Sequence, residues 1–433
     1  MEKITVLGAG FAGCEAAWHL AKSGYKVELV EMKPVKFTPA HKSENFCELV
    51  CSNSFKAKRI ESAAGLLKAE MSLMGSLCVE CAYECSVEAG GALAVDREKF
   101  SALVTERIRK NENITVVNRV VEDIPKGKVI VATGPLTDGA LAQRISELCG
   151  ESLSFYDAAA PIVTGESIDM NSAFFASRYG KGGDDYINCP MNKEEYEKFH
   201  YELVNAESAK THDFDVYEGC MPIEVLAKRG EDSIRFGPMK PVGLTDPRTG
   251  HRPWAVLQLR RENSAGSIYN LVGFQTNLKF SEQKRVFSMI PALKNAQFTR
   301  YGVMHRNSFL DSPRVLDRSM RLKDSEDIYF AGQITGVEGY MESACSGIIA
   351  AMNLVRQLRG EPKISLPEQT MSGSLISYIT DESVKDFQPM GANFGVVPPL
   401  ETRIRDKKER YGALAERALD CLKNYLKKID FWM

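Results

Sequence analysis

The chain opens with short apolar runs that alternate with a stretch of helical spacing. Residues 4–7 form one apolar run, and residues 27–30 form a second. The stretch between them ends at Gly24, a residue suited to the left-handed position that closes a helix. This order predicts a strand, a helix and a second strand, which is the first unit of a parallel α/β fold.

The same two patterns return further along the chain. Apolar positions at helical spacing predict helices, and short apolar runs bounded by polar residues predict strands. The predicted helices cover residues 62–77, 97–110, 341–358 and 401–428, and the predicted strands cover residues 114–117, 129–131 and 328–332. The helix that starts at residue 97 has Asp96 as its expected N-cap.

A glycine-rich turn joins the first predicted strand to the first predicted helix. Gly8, Gly10 and Gly13 have the spacing Gly-x-Gly-x-x-Gly, and Glu31 ends the second strand. These glycines allow a tight turn and close backbone approach to a pyrophosphate, which the helix N-terminus attracts. The Glu31 carboxylate suits ribose hydroxyls and repels a 2′-phosphate, so the turn predicts FAD or NAD rather than NADP. The predicted contacts are Gly8, Ala9, Gly10, Phe11, Ala12, Gly13 and Glu31.

Two later turns narrow the expected cofactor to FAD. The strand at residues 129–131 runs into Thr133 and Gly134, where backbone can approach a nucleotide closely. The strand at residues 328–332 runs into a turn directly before a helix. The contacts predicted from this late turn are Gly332, Gln333, Gly336 and Gly339. Because a second Gly-x-Gly-x-x-Gly motif is absent from the sequence, we expect one FAD held at three points of one fold.

The pattern changes between about residue 140 and residue 320. Apolar runs become shorter there, turn signals are frequent, and strand-like pieces occur at residues 254–259 and 269–274. We therefore predict an α/β protein with a Rossmann-like FAD-binding fold of the glutathione reductase type and an inserted, smaller α+β domain. The predicted FAD-binding domain comprises residues 1–140 and 325–433, and the predicted substrate- or RNA-facing insertion comprises residues 141–324.

Length, charge and hydropathy limit the number of domains, the kind of partner and the location of the protein. A length of 433 residues predicts two domains, and a net charge of −2 means that a nucleic-acid partner needs a local basic patch. The basic run at residues 403–410 is either such a patch or a solvated helix face. An extension of that patch would use Arg248, Arg252, Arg260, Arg261, Lys279, Lys284 and Arg285. No apolar run is long enough to span a membrane, and a strand begins by residue 4, which predicts a cytoplasmic protein without a signal peptide.

Cysteines are the candidate reactive groups. Cys51 lies in residues 35–58, predicted as a long loop over the nucleotide site, and Cys220 lies between a glycine and a proline. Both contexts fit a reactive thiol, and both also fit a buried structural cysteine. Cys47 and Cys51 are also candidates for a redox dithiol. A metal or iron–sulfur site remains a weaker hypothesis for Cys78, Cys81 and Cys85, whereas Cys14 and Cys345 are expected to pack inside helices.

Eight segments of the chain carry a more specific signal. They are residues 38–41, 48–54, 90–97, 157–163, 219–224, 236–244, 301–307 and 332–340. Together they closely resemble the motifs of the folate- and FAD-dependent tRNA uracil-C5 methyltransferase family. That family is a smaller relative of the flavoproteins that modify the wobble uridine of tRNA. The resemblance extends over nearly the whole chain, from Gly8 to the basic segment near Arg410.

The resemblance implies a reductive methylation. It implies FAD as the cofactor, NADH or NADPH as the reductant and methylenetetrahydrofolate as the one-carbon donor. It also implies a cysteine thiolate that adds to C6 of a uracil and thereby makes C5 nucleophilic. The family's two functional cysteines correspond to Cys51 and Cys220. We expect Cys220 to attack the uracil, and Cys51 to lie near the flavin and assist transfer of the carbon or of a proton.

Several functions stay open at this point. The resemblance implies a uridine in the T-loop of tRNA as the target, but the same motifs would fit a ribosomal RNA uridine. A small-molecule flavin oxidoreductase would instead use Cys47 and Cys51 as a dithiol. A module that binds FAD without catalysis is the third class.

Overall fold

A computed structural model shows how these segments assemble. The structure describes residues 4–150, 153–180, 182–209, 221–385 and 387–430. Within those residues the strands are β1 Ile4–Leu7, β2 Val27–Glu31, β3 Ser54–Ala57, β4 Ser86–Val87, β5 Ala92–Val95, β6 Ile114–Asn118, β7 Lys128–Val131, β8 Leu153–Ala158, β9 Ile162–Thr164, β10 Phe174–Phe175, β11 Tyr186–Met191, β12 Ala255–Arg261, β13 Ile268–Leu271, β14 Phe298–Arg300, β15 Met304–Phe309 and β16 Ile328–Phe330. The α-helices are α1 Phe11–Lys22, α2 Ala63–Leu73, α3 Leu77–Glu84, α4 Arg97–Lys110, α5 Gly139–Cys149, α6 Lys193–Asn205, α7 Ile223–Ala227, α8 Phe280–Phe287, α9 Ser312–Val315, α10 Tyr340–Leu358, α11 Met371–Ile379 and α12 Lys407–Lys428.

The first sheet is parallel, as the strand–helix–strand pattern predicts. Its five strands lie in the order β16, β7, β1, β2 and β6, and each pairs with its neighbours in parallel. Helices α1 and α10 pack closely, since a Cβ on Gly347 would lie 2.2 Å from the carbonyl oxygen of Ala12. Glycine at position 347 therefore permits the helix contact that covers this sheet. The Rossmann-like α/β fold predicted from the sequence is confirmed.

A second sheet is antiparallel and has six strands in the order β10, β11, β12, β13, β9 and β14. Alternate residues of β12 explain its two faces. Ala255, Leu257 and Leu259 lie in a hydrophobic cluster that residues of α6, α7 and α8 share. Gln258 and Arg260 point to the opposite face, because side chains alternate along a strand. One face of this sheet is therefore apolar and covered by helices, and the other carries polar side chains beside a small apolar cluster of Val256, Phe174 and Leu244.

A pair of strands, a short sheet and the C-terminal helix lie outside the two main sheets. Strands β8 and β15 pair with each other in antiparallel fashion, immediately before and after the segment that contains the second sheet. The short sheet of β3, β5 and β4 follows the loop that contains Cys51. Helix α12 contributes an apolar stripe, including Leu414, Ala418 and Leu422, to the same hydrophobic cluster as the first sheet. The C-terminal part of the chain thus packs on the parallel sheet.

Several predicted boundaries are wrong in detail. The predicted helix over residues 62–77 is interrupted at Gly75, which has a φ of +77° and separates α2 from α3. The helix predicted to begin at residue 401 begins at Lys407, because the Asp406 side chain caps it and accepts a hydrogen bond from the Glu409 amide. The predicted loop over residues 35–58 ends in strand β3. In the part of the chain that the structure describes, no helix is long and apolar enough to cross a membrane.

Candidate active site

The strand order brings the three turns that are predicted to contact the nucleotide to one edge of the sheet. Strands β16, β7 and β1 are adjacent and parallel, so their carboxyl ends lie at one edge of the sheet. That edge is where ligands bind in open α/β sheets. The turn after β1, the turn after β7 and the turn after β16 line one cleft of about 370 Å³ there.

Most predicted cofactor contacts line this cleft. They are Gly8, Ala9, Gly10, Phe11, Ala12, Glu31, Thr133, Gly134, Gly332, Gln333 and Gly339. Gly13 and Gly336 do not line it. A Cβ on Gly13 would lie 1.8 Å from the carbonyl oxygen of Gly8, and a Cβ on Gly336 would lie 2.4 Å from the ring of Phe387. These two glycines shape the turns that form the cleft.

The glycine turn fits a bound pyrophosphate. A Cβ on Gly10 would meet no atom within 4 Å, so the packing of the chain itself does not require glycine at this cleft-lining position. Helix α1 starts directly after Gly10 without a side-chain cap. The first amides of a helix lack partners within it and attract phosphate oxygens. The donor set and the open space at Gly10 therefore suit the diphosphate of FAD.

Glu31 holds the glycine turn as well as facing the cleft. One carboxylate oxygen accepts the Ala9 amide at 2.7 Å, and the other accepts the Lys33 amide at 3.0 Å. An ionised carboxylate has about four acceptor positions, so capacity remains for ribose hydroxyls. The predicted role of Glu31 is thus compatible with a second, structural one.

Cys51 lies at the edge of the cleft against Tyr340, the first residue of α10. The Cys51 amide donates to the Tyr340 hydroxyl oxygen at 2.9 Å, and the Cys51 sulfur lies 3.0 Å from the same oxygen. Since that oxygen already accepts the amide, the tyrosine proton is available to the sulfur. The Tyr340 ring stacks on Phe11 with a centroid distance of 4.8 Å. Burial, with the neighbouring Cys51, raises the pKa of Tyr340 well above its ordinary value.

Three arginines surround the segment that carries Cys51. Arg97 bonds the Leu49 carbonyl oxygen and pairs with Glu262 at 2.7 Å. Arg300 bonds the Val50 carbonyl oxygen. Arg260 donates to Asn53 Oδ1 at 2.9 Å and to Ser52 Oγ at 2.8 Å.

Each of these three guanidinium groups interacts electrostatically with Cys51. Burial lowers the pKa of Arg260 and that of Arg300, as expected for cations in a region of low dielectric constant. Positive charge beside a cysteine favours its thiolate. The sequence did not indicate Arg97, Arg300 or Tyr340 by their chemistry. Arg97 and Tyr340 are, however, the last residues of two of the segments that carry the family resemblance.

Arg260 corrects one expectation. The sequence named it as a candidate for a basic surface strip, whereas it is 7 % exposed and bonded to Ser52 and Asn53. Other members of the expected strip are paired with acidic residues: Arg248 with Asp246, Lys279 with Glu207, and Arg285 with Glu202 and Glu282. Arg405, Lys407 and Lys408 are exposed near the start of α12.

A second cavity, of about 390 Å³, adjoins the first. The two cavities share Cys51, Glu338, Gly339 and Tyr340 as lining residues. Arg260, Asn270 and Gln275 line it from the second sheet and the loop after β13, and Lys56 of β3 and Glu342 of α10 line it from the other side. Cys51 therefore lies between the cofactor cleft and a second space of comparable size.

Cys220 lies outside the residues that the structure describes. The described chain resumes at Met221, and the Ile223 amide donates to the Gln275 carbonyl oxygen at 2.7 Å. Gln275 is one of the residues that line the second cavity. The segment that follows Cys220 is thus attached to the wall of that cavity.

The remaining cysteines lie in less reactive surroundings. Cys47 is buried, and burial together with hydrogen bonds to Cys14 and Cys78 raises its pKa well above its ordinary value. Burial also raises the pKa of Cys81, to about 12. Cys345 is buried within α10, as expected. Within the described ranges, no group of three or more His, Cys, Asp or Glu side chains is placed to hold a metal ion.

Comparison with known proteins identifies the family of the chain. The model of the family described as glucose inhibited division protein A matches residues 3–362. A protein of Acetivibrio thermocellus named methylenetetrahydrofolate--tRNA-(uracil-5-)-methyltransferase TrmFO is 59 % identical over 433 residues, covering 99 % of both chains. A protein of the same name from Caldicellulosiruptor bescii is 56 % identical, and the match covers 99 % of both chains. The protein of that name from Enterococcus faecalis is 54 % identical, and the match covers 99 % of this chain and 100 % of the relative.

A solved structure supports the fold. Aquifex aeolicus GidA in its form II crystal aligns with a TM-score of 0.70 and 16 % identity, covering 100 % of this chain and 77 % of its own. At this identity the likeness concerns the fold alone. The sequence identity with the three relatives, together with the match to the family model, shows that the chain belongs to the TrmFO family of folate-dependent flavoproteins, within the larger family of glucose inhibited division protein A.

Proposed function

We propose that this protein is a flavin-dependent RNA methyltransferase that methylates C5 of a uridine in tRNA. It uses methylenetetrahydrofolate as the carbon donor and NADH or NADPH as the reductant, in accordance with the name that its relatives carry. The observation that carries the proposal for the site is the position of Cys51 between the cofactor cleft and the second cavity. The reaction takes place in the cytoplasm, and its target uridine is the one in the T-loop.

The cofactor cleft would hold FAD through the three turns described above. The amides after Gly10 would face the diphosphate, Glu31 would face the ribose, and the turns at Gly134 and Gly332 would approach the rest of the molecule. When bound, FAD supplies the electrons and carries the one-carbon unit. Side chains of the protein carry out the attack on the uracil and the proton transfer.

Cys220 is the proposed nucleophile. Its thiolate adds to C6 of the uracil, which places the electron pair of the C5–C6 double bond at C5 and allows C5 to form the new carbon bond. With the two electrons that NADH or NADPH provides, loss of the C5 proton and of the thiolate then restores the double bond and leaves a methyl group at C5. The attachment of Ile223 to Gln275, at the wall of the second cavity, supports this role.

Cys51 is proposed to accept the proton that leaves C5 of the uracil. The three guanidinium groups around it and the Tyr340 hydroxyl favour the thiolate, which is the form that accepts a proton. Its position at the junction of both cavities fits contact with the uracil and with the cofactor. A dithiol of Cys47 and Cys51 is disfavoured, because the Cys47 thiol is buried and hydrogen-bonded to Cys14 and Cys78.

The domain organisation is part of the proposal. Residues 1–140 and 325–433 would form the FAD-binding domain, and residues 141–324 the insertion that brings RNA to the flavin. The pairing of β8 with β15 supports this division, since these strands precede and follow the second sheet. The separate hydrophobic cluster of the second sheet also supports it.

One experiment tests the function directly. The purified protein is incubated with methylenetetrahydrofolate labelled in its one-carbon unit, FAD, NADPH or NADH, and either tRNA or ribosomal RNA transcripts. Label at C5 of one uridine in tRNA is the expected result. Label confined to ribosomal RNA would refute the tRNA assignment, and unlabelled RNA of both kinds would refute the methyltransferase.

Cysteine variants then test the site. Cys51→Ala and Cys220→Ala should each abolish methylation while FAD remains bound, because neither residue belongs to the glycine turn. Cys149→Ala is a matched control at a buried cysteine of α5, away from both cavities. Cys47→Ser separates the alternatives: mild loss is expected here, whereas a loss as severe as that of Cys51→Ser would favour the dithiol oxidoreductase.

A further inference from the structure

The polar face of the second sheet contains a buried group without a partner. Asn270 lies on β13 and is 4 % exposed. Among the described residues its Nδ2 atom has no hydrogen-bond partner. Most buried amides in proteins are satisfied, and a buried unpaired donor destabilises the fold unless a ligand or a water satisfies it. Asn270 also lines the second cavity, so the side chain that carries this donor is part of the cavity wall.

The neighbours of Asn270 on the same face are paired. Asn188 donates to the carbonyl oxygens of Phe174 and Ala176, and Gln258 donates to Asn188 Oδ1 at 2.9 Å. Arg260 is the direct cross-strand neighbour of Asn270, and its guanidinium bonds Asn53 and Ser52. Its neighbours on this face are therefore satisfied, whereas the Asn270 Nδ2 has no partner among the described residues.

We propose that the second cavity receives the target uracil, extruded from the RNA, and that the Asn270 amide binds its N3–H and C4=O edge. This inference rests on the proposed function. An amide side chain presents one donor and one acceptor side by side, which matches the acceptor O4 and the donor N3–H of uracil. An enzyme that modifies a base in structured RNA must take that base out of its stack and bind its pairing edge in a pocket.

Two features of the cavity favour the uracil over other ligands. Cys51 lies at its opening to the cofactor cleft, so a base in the cavity would be presented to the cofactor across this thiol. The Ile223 amide is bonded to Gln275 on the same wall, which attaches the segment following the proposed nucleophile to the space that holds its target. Asn270 is thereby assigned as the residue that selects uracil against cytosine.

Exchange of the amide for a carboxylate tests the assignment. Cytosine has an amino group where uracil has O4, so the carboxylate of Asn270→Asp should repel O4 of uracil and accept a hydrogen bond from the amino group of cytosine. Two transcripts are compared, one with the natural target uridine and one with cytidine at that position. We expect the ratio of kcat/KM for uridine over cytidine to fall at least ~10-fold, the scale of one base-specific contact.

Controls keep the test decisive. Asn205→Asp makes the same exchange at an exposed residue of α6 and should leave the ratio unchanged. Bound FAD, measured by absorbance, reports whether each variant is folded. If Asn270→Asp fails to hold FAD, Asn270→Leu serves instead, and a loss of at least ~10-fold in kcat/KM for uridine without any gain for cytidine is then expected.

Three results would overturn the inference, and they are distinguishable. An unchanged uridine-to-cytidine ratio in a folded, active Asn270→Asp variant would show that Asn270 does not read the base. An unchanged ratio with a raised KM for methylenetetrahydrofolate would show that the pterin ring, which has a similar edge, occupies the cavity. A wild-type protein that methylates neither transcript would refute the proposed function, and the inference with it.

Discussion

Replacement of Tyr340 by phenylalanine tests whether the hydroxyl group activates Cys51. The change removes one oxygen and keeps the ring that stacks on Phe11 at 4.8 Å. The lost oxygen accepts the Cys51 amide at 2.9 Å and lies 3.0 Å from the Cys51 sulfur. The variant therefore removes the hydroxyl proton that can be donated to the thiolate, while packing in the cofactor cleft is conserved.

The expected size follows from the charge of the acceptor. A hydrogen bond to an ionised group contributes about 1.5–3 kcal/mol, and about 1.4 kcal/mol corresponds to one pH unit in a titration. Loss of this bond destabilises only the thiolate form of Cys51. The midpoint of the pH profile for Cys51 alkylation should thus move upward by about 1 to 2 units. The unpaired Cys51 amide should also lower the free energy of unfolding by about 1–3 kcal/mol.

The assay is the rate of alkylation by iodoacetamide as a function of pH, with Cys51 identified by peptide mass spectrometry. Tyr201→Phe is the matched control, because Tyr201 is 66 % exposed on α6. A merely structural role for Tyr340 would lower the unfolding free energy and leave the pH profile in place. An unchanged midpoint in the folded Tyr340→Phe variant would refute the argument that the hydroxyl stabilises the thiolate.

Three further predictions follow from the same structure. Gly13→Ala places a Cβ 1.8 Å from the Gly8 carbonyl oxygen, so FAD content after purification should fall at least ~10-fold; normal FAD absorbance would contradict this. Burial lowers the pKa of Lys68 to about 8. Between pH 8 and 10.5 the unfolded state then binds more protons, so stability should rise by about 3 kcal/mol over that range. Lys68→Met should abolish this rise in urea unfolding, and a slope equal to that of the wild type would disprove the link. Arg405→Glu with Lys408→Glu should weaken tRNA binding and reduce its salt dependence, by a slope of roughly 2, without loss of NADH oxidation; equal loss of both would indicate misfolding.

Local patterns in the chain predicted the turns and the helix cap near the cofactor cleft well. The turn from Gly8 to Gly13 joins β1 to α1 as expected, and Asp96 caps α4 by accepting the Lys99 amide. These features depend on residues close in sequence, whose conformations are limited by glycine, by caps and by apolar period. The predicted helix boundaries were less accurate. The break at Gly75 and the cap at Asp406 each depend on the conformation of one residue, which the spacing of apolar residues does not indicate.

The surroundings of Cys51 could not be predicted in the same way. Arg97, Arg260 and Arg300 belong to α4, β12 and β14, and the sequence around each of them carries no signal of a role near Cys51. Their common function appears only when the second sheet packs against the loop at Leu49–Asn53. The same packing buries Arg260, which the sequence named only as a candidate for an exposed strip.

The sequence by itself determined the α/β class and the glycine turn between β1 and α1, and it predicted FAD-binding turns and two functional cysteines. It could do so because a glycine turn followed by a helix acts through adjacent backbone groups, and because motif segments preserve their chemistry locally. Only the tertiary structure decided that β16, β7 and β1 meet at one edge, and that Cys51 separates two cavities. It also decided that Asn270 is left without a partner. Those outcomes depend on strand order and on the packing of one sheet against another, which bring together residues more than 200 positions apart.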